Sequence, residues 1–112
     1  MPEIIRLMPD YYCWPLWWGD THEPGDIDPK TLPLSDKTCS LLQKWADLFD
    51  ATLNEDYPPN SSFVDHAERD AFVKMGHKIW KLLIHELSPE YEIWYFDIKH
   101  QNLLKQLSEF AS

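Results

Sequence analysis

The side chains that could do chemistry in this 112-residue chain are five histidines, two cysteines and several closely spaced carboxylates. The histidines are His22, His66, His77, His85 and His100. A zinc site needs ligands that converge at defined spacing. His77 and His85 fall roughly on one side of a helix, but no carboxylate–histidine pair completes a motif. His85-Glu86 opens like a His-Glu-x-x-His box, yet Pro89 stands where the second histidine belongs. No metal site is expected. Cys13 lies among aromatics in a stretch with no Lys or Arg from Leu7 to Pro29, and Cys39 lies on the apolar side of a helix. A reactive thiol needs an electropositive setting, so both read as inert and reduced. The carboxylate pairs Asp26/Asp28, Asp47/Asp50 and Glu55/Asp56 fall on loops or polar helix faces. Acid–base catalysis needs a carboxyl raised by burial, and these are expected to be solvated. There is no Gly-x-Ser-x-Gly elbow, and with three glycines in all there is no phosphate cradle. Neither a catalytic group nor a cofactor is predicted.

The charge pattern says more. The net charge is −9, from 19 acidic and 10 basic residues. Nucleic acid and anionic membrane are poor partners for such a chain, and a basic protein is a good one. From Leu7 to Pro29 there are five acidic residues, and from Trp45 to Glu68 six, with no Lys or Arg in either stretch. Lys74, Lys78 and Lys81 recur at i, i+4 and i+7 and predict a separate positive ridge. The first acidic stretch also holds Tyr11, Tyr12, Trp14, Trp17 and Trp18, which cannot all enter a core past Pro15. Trp and Tyr anchor many protein interfaces. The competing use is that Trp14, Leu16 and Trp17 plug the open side of a sheet; at least two of the aromatics are expected in the core.

The elements that must position these residues follow from local pattern. Glu3–Met8 reads as a short strand, and Tyr11–Trp18 as an edge strand or extended stretch broken by Pro15. Gly19–Pro33 is a long loop. Ser35 is a good N-cap, with Asp36 in the first turn and Leu34 and Cys39 at staple positions. Leu41, Leu42, Trp45, Leu48, Phe49 and Leu53 then form one apolar stripe. Asp65 with Glu68 makes a capping box for a second helix that ends before Pro89. Its apolar face includes Gly76, which predicts close approach of the first helix. Tyr91–Ile98 is the strongest strand signal, with Trp94, Phe96 and Ile98 on one face and Tyr91, Ile93 and Tyr95 on the other. It is expected to pair with Glu3–Met8. Leu103, Leu104, Leu107 and Phe110 predict a short C-terminal helix. The fold class is α+β: a two-helix hairpin on a small sheet formed by the N- and C-terminal strands, a single domain over residues 1–112.

Several segments together resemble a known family. They are Pro9-Asp10-Tyr11-Tyr12-Cys13-Trp14-Pro15-Leu16-Trp17, Asp28-Pro29, Leu32-Pro33-Leu34-Ser35, Trp45-Ala46-Asp47, Asp50-Ala51-Thr52-Leu53 and Ala71-Phe72 through Gly76. Over roughly residues 4 to 98 the chain is similar to small bacterial immunity proteins of contact-dependent growth inhibition and polymorphic-toxin systems; the tail after Lys99 lies outside the pattern. The resemblance implies an antidote that binds the C-terminal toxin domain of a competitor's effector, without catalysis. Many such toxins are nucleases with basic clefts, and a ribonuclease is expected here.

On this reading the contact surface comprises Asp10, Tyr11, Trp18, Asp20, Glu23, Asp26 and Asp28, with Asp47, Asp50, Glu55 and Asp56 as a second set. No signal peptide or membrane span is evident, so the cytoplasm is the expected compartment and a monomer the expected free state. Two other classes stay open. One is an adaptor, homodimeric through Tyr91–Ile98. The other is a small hydrolase with a carboxylate pair.

Overall fold

A computed structural model describes residues 3–19, 25–53, 63 and 65–110. Strand β1 (Glu3–Leu7) starts the chain, and β2 (Leu16–Trp18) follows after the Pro15 break. A 3-10 turn (Pro29–Thr31) leads to helix α1 (Asp36–Asp50). Helix α2 (His66–Leu87), β3 (Tyr91–Asp97), β4 (Asn102–Leu104) and a second 3-10 turn (Leu107–Glu109) complete the order. The class is α+β as expected, with a sheet of four strands in the order β2-β1-β3-β4. β1 and β3 pair in parallel, Ile5 opposite Ile93, and the two outer strands pair antiparallel.

Local codes place both helices. Ser35 Oγ accepts from Thr38 N at 3.2 Å at the start of α1, and Asp65 Oδ1 accepts from Glu68 N at 2.8 Å at the start of α2. Each cap satisfies a donor that the first turn leaves open. The two helices are clipped together at one end by Glu86. Its carboxylate accepts from Ser35 N at 2.6 Å and from the Thr38 hydroxyl.

The expected short C-terminal helix is present as the 3-10 turn Leu107–Glu109 alone, and Leu103 and Leu104, expected within it, form β4 instead. Leu103 and Leu104 lie on β4, opposite Phe96 and Tyr95. The cause is the turn before them. Asp97 is 1% exposed; its carboxylate accepts from Lys99 N at 2.9 Å, from His100 N at 3.4 Å and pairs with His100 Nδ1 at 2.7 Å. Gln101 takes a positive φ of 53°. The chain therefore doubles back along the open edge of β3, whose unpaired backbone groups accept a strand.

Alternation along the strands turns Ile5, Leu7, Leu16, Ile93 and Tyr95 toward the helices, all at or near zero exposure. Trp45 stacks on Phe72 at 4.6 Å between ring centroids. The buried aromatics also satisfy their polar atoms, as such groups must. Trp45 Nε1 donates to Phe72 O, Trp80 Nε1 to Ile93 O and Tyr95 Oη to Val73 O, at 2.8–2.9 Å. Gly76 lies where these layers are closest. A Cβ there would stand 2.4 Å from Tyr95 Oη and 2.7 Å from Trp45 Cζ2. The close approach of α1 expected at Gly76 is present, and β3 approaches with it.

Candidate functional site

The loop before β2 folds back onto α1. Tyr11 stacks on Phe49 with ring centroids 4.5 Å apart, and its hydroxyl lies 2.9 Å from Thr52 Oγ1. Tyr12 N donates to Asp50 Oδ1 at 2.9 Å. Trp14 N donates to the Asp26 carboxylate, and Asp26 is also bridged to Trp17. Downstream, Asp28 caps the 3-10 turn by accepting from Lys30 N at 3.0 Å. These contacts set residues 12–14 and 26–30 beside one face of α1. Asp36, Cys39, Gln43, Asp47 and Asp50 recur along that face at helical spacing.

Between loop and helix runs a groove. One section, of about 400 Å³, is lined by Trp14, Asp28, Lys30, Asp36, Cys39 and Gln43, among others. The adjoining section, of about 360 Å³, shares Trp14 and Gln43 and adds Tyr12, Cys13, Asp26 and Asp50. The thiols register the local field. Burial, followed by Asp10, Asp26 and Asp50, pushes Cys13 up. Burial, followed by Asp36, Glu86 and Asp28 against the opposing effect of Lys30, pushes Cys39 up. Neither thiol is activated as a nucleophile; both sit in a negative environment.

Thus the two acidic stretches, far apart in sequence, meet at one groove through Asp26, Asp28 and Asp50. Asp47 is exposed on the same helix, where it accepts from Gln43 Nε2 at 2.8 Å. Asp10 is exposed and accepts from Tyr11 N. Asp20, Glu23, Glu55 and Asp56 lie outside the described residues. The two predicted ring anchors are placed elsewhere. Tyr11 is half-buried against Phe49, and Trp18 packs on the core beside Tyr91, 6.4 Å between centroids. Of the residues expected to plug the open side of the sheet, Leu16 is buried on the helix side, Trp17 lies half-buried on the opposite face, and Trp14 lines the groove.

The sequence named Tyr12 and Trp14 among the surplus aromatics but left them out of the contact set, and it passed over Asp36 and Gln43, which also line the groove. Tyr12 is 68% exposed at the groove. The signal for Asp36 and Gln43 was available: they share the helical repeat of Asp47 and Asp50. None separated Tyr12 from Tyr11. Lys74, Lys78 and Lys81 are exposed along α2, as the ridge reading requires. Among the described residues no group of three His, Cys, Asp or Glu side chains could hold a metal ion. No described helix is long and apolar enough to cross a membrane.

Fold and groove together describe a small acidic α+β protein with an anionic, ring-lined recess between a loop and a helix. Residues 3–98 match the family described as Serratia CdiI immunity protein-like, and the chain belongs to that family. The resemblance noted in the sequence is thereby borne out, and β4 with the last turn lies beyond the matched span. A comparison with curated proteins finds no match.

Proposed function

We propose that this immunity protein neutralises a basic toxin domain by stoichiometric binding through the groove between residues 12–28 and α1, acting in the cytoplasm and without catalysis. The observation that carries the reading is the convergence of Asp26, Asp28, Asp36 and Asp50 around Trp14, beside the exposed Tyr12. A nuclease cleft is positive because it holds phosphate, so an anionic recess with aromatic anchors matches it in charge and can exclude nucleic acid. We place a ribonuclease first among such toxins. Tyr12 and Trp14 replace Tyr11 and Trp18 as the ring anchors, while Asp10 and Asp47 extend the acidic rim. Raised local charge also steers encounter, so added salt slows association more than it speeds dissociation.

The hydrolase alternative needs a poised carboxyl in a concave site. Asp26, Asp28 and Asp50 each already accept a backbone N–H, and buried Asp97 is fully engaged in its own turn.

The test is titration of the purified chain with the toxin domain encoded by the adjacent reading frame, read by calorimetry and by RNA cleavage. Asp36→Asn/Asp47→Lys is the informative variant, because neither carboxylate accepts a backbone N–H among the described residues. A one-to-one complex that blocks cleavage, and an affinity that falls about tenfold or more in the variant, is the expected result. Unchanged affinity in a folded variant removes the groove from the interface. Absence of binding removes the whole reading.

A further inference from the structure

The sheet has two faces, and both helices lie on one of them. The rungs Arg6↔Trp17, Arg6↔Trp94 and Phe96↔Leu103 belong to the opposite face. Trp17, Trp94, Phe96 and Leu103 are half-buried there. None of the four is among the side chains packed on the core cluster. They form a separate apolar surface that no described element covers.

Its charges are unusual for so acidic a chain. Arg6 lies on a central strand with a tryptophan on either side. It makes no ion pair among the described residues, and its Nε is buried without a hydrogen-bond partner. Glu92, one rung away opposite Ile4, accepts from Trp94 Nε1 at 2.6 Å and likewise has no ion pair among the described residues. Lys105 Nζ stands 4.7 Å from the Trp94 ring centre. The face therefore carries both signs, with a cation and an anion that are close but not joined.

A charged surface that binds itself across a two-fold axis needs both signs, because each charge must meet a complement drawn from the same patch. The net charge of −9 makes most approaches between copies repulsive. On this face Arg6 and Lys105 stand near Glu92, so approach through it is not opposed by like charge alone. Trp and Arg at the centre are also what a well-packed interface favours. We infer that the open sheet face joins two copies of this chain in an isologous dimer, with Arg6 of each copy paired to Glu92 of the other. Face-to-face sheet packing covers Trp17, Trp94 and Phe96. The groove, formed on the helix side, stays open in both copies. The sequence led to a monomer for the free chain and kept a homodimer through Tyr91–Ile98 open as an alternative; the sheet face, which includes Trp94 and Phe96 of that strand, supplies the reason to expect two.

Sedimentation across the micromolar range gives the first reading, with twice the 13.3 kDa of one chain expected. Arg6→Glu and Glu92→Arg should each raise the dimer Kd on the order of a hundredfold. The double variant Arg6→Glu/Glu92→Arg should recover most of that loss, since it restores both contacts with signs exchanged. Circular dichroism checks that each variant is folded, and Trp94→Lys serves in place of any that is not; it too should be monomeric. A wild-type chain that stays monomeric throughout overturns the proposal. So does a dimer indifferent to Trp94→Lys, or a folded double variant no better than the single ones. If Trp94→Lys instead abolishes toxin binding by a chain that was already monomeric, the face belongs to the toxin and the dimer is wrong.

Discussion

The backbone N–H of Tyr12 donates to the carboxylate of Asp50, 38 positions further along the chain. This bond fastens the aromatic loop to the last turn of α1. There an unpaired carboxylate would face the negative end of the helix, so the bond also relieves Asp50. It helps hold Tyr12 at a φ of 57°, a conformation that disfavours a side chain by roughly 1–2 kcal/mol.

Tyr12→Gly separates the ring from the loop. Glycine accepts the backbone conformation, so urea unfolding should move by no more than about 1 kcal/mol in either direction. Toxin affinity should nevertheless fall about tenfold or more, the loss of an interface ring. Asp50→Ala should act on both quantities: about 1 kcal/mol less stability, and weaker binding from a loosened loop.

At Gly76 the expected outcome is steric. Gly76→Ala gains helix propensity of about 1 kcal/mol but drives Cβ into Tyr95 Oη and Trp45 Cζ2. Overpacking should prevail, with a net loss of about 1–3 kcal/mol. Tyr95→Phe removes the nearest atom and the bond to Val73 O. The double variant should therefore be less destabilised than the two single losses added together, as a double-mutant cycle in denaturant will show.

Glu86 ties the two helices and makes stability depend on acid pH. Burial raises its carboxyl, but hydrogen bonds from Thr38 and Ser35 outweigh burial, and the net direction is down. A carboxyl lowered by folding contributes fully above its unfolded value of about 4.3 and loses that contribution as pH falls through the lower folded value. Glu86→Gln should flatten this part of the pH profile and cost about 1 kcal/mol near neutrality.

His77 acts in a higher window. Its ring stacks on Phe110, 4.0 Å between centroids. Burial first, then Lys81, holds its pKa below the usual histidine value. The neutral form is thus favoured by folding. Stability should be undiminished above about pH 6.5 and decline as pH drops from there toward the folded value. His77→Gln should remove that step in thermal unfolding followed against pH.

Both helices and the two central strands were legible in the sequence because their codes are local. Ser35, Asp65 and Glu68 cap within one turn, and apolar residues at threes and fours, or at twos along Tyr91–Asp97, fix a face whatever lies beyond it. The acidity of the loop and of α1 was equally plain. What the residues could not declare by themselves was anything settled by contacts far along the chain. Leu103 and Leu104 suit a helix as well as a strand, and the open edge of β3 with the Asp97 turn decides between them. Tyr11 and Tyr12 are adjacent and chemically alike; Phe49 and Thr52 draw one inward, while Asp50 holds the other at the surface. Two acidic stretches become one groove only when the loop lies along α1. Side-chain pattern specifies short-range structure through hydrogen bonds and periodicity within a few residues. Which side chains then share a surface is set by how those pieces pack, and that depends on the whole core at once.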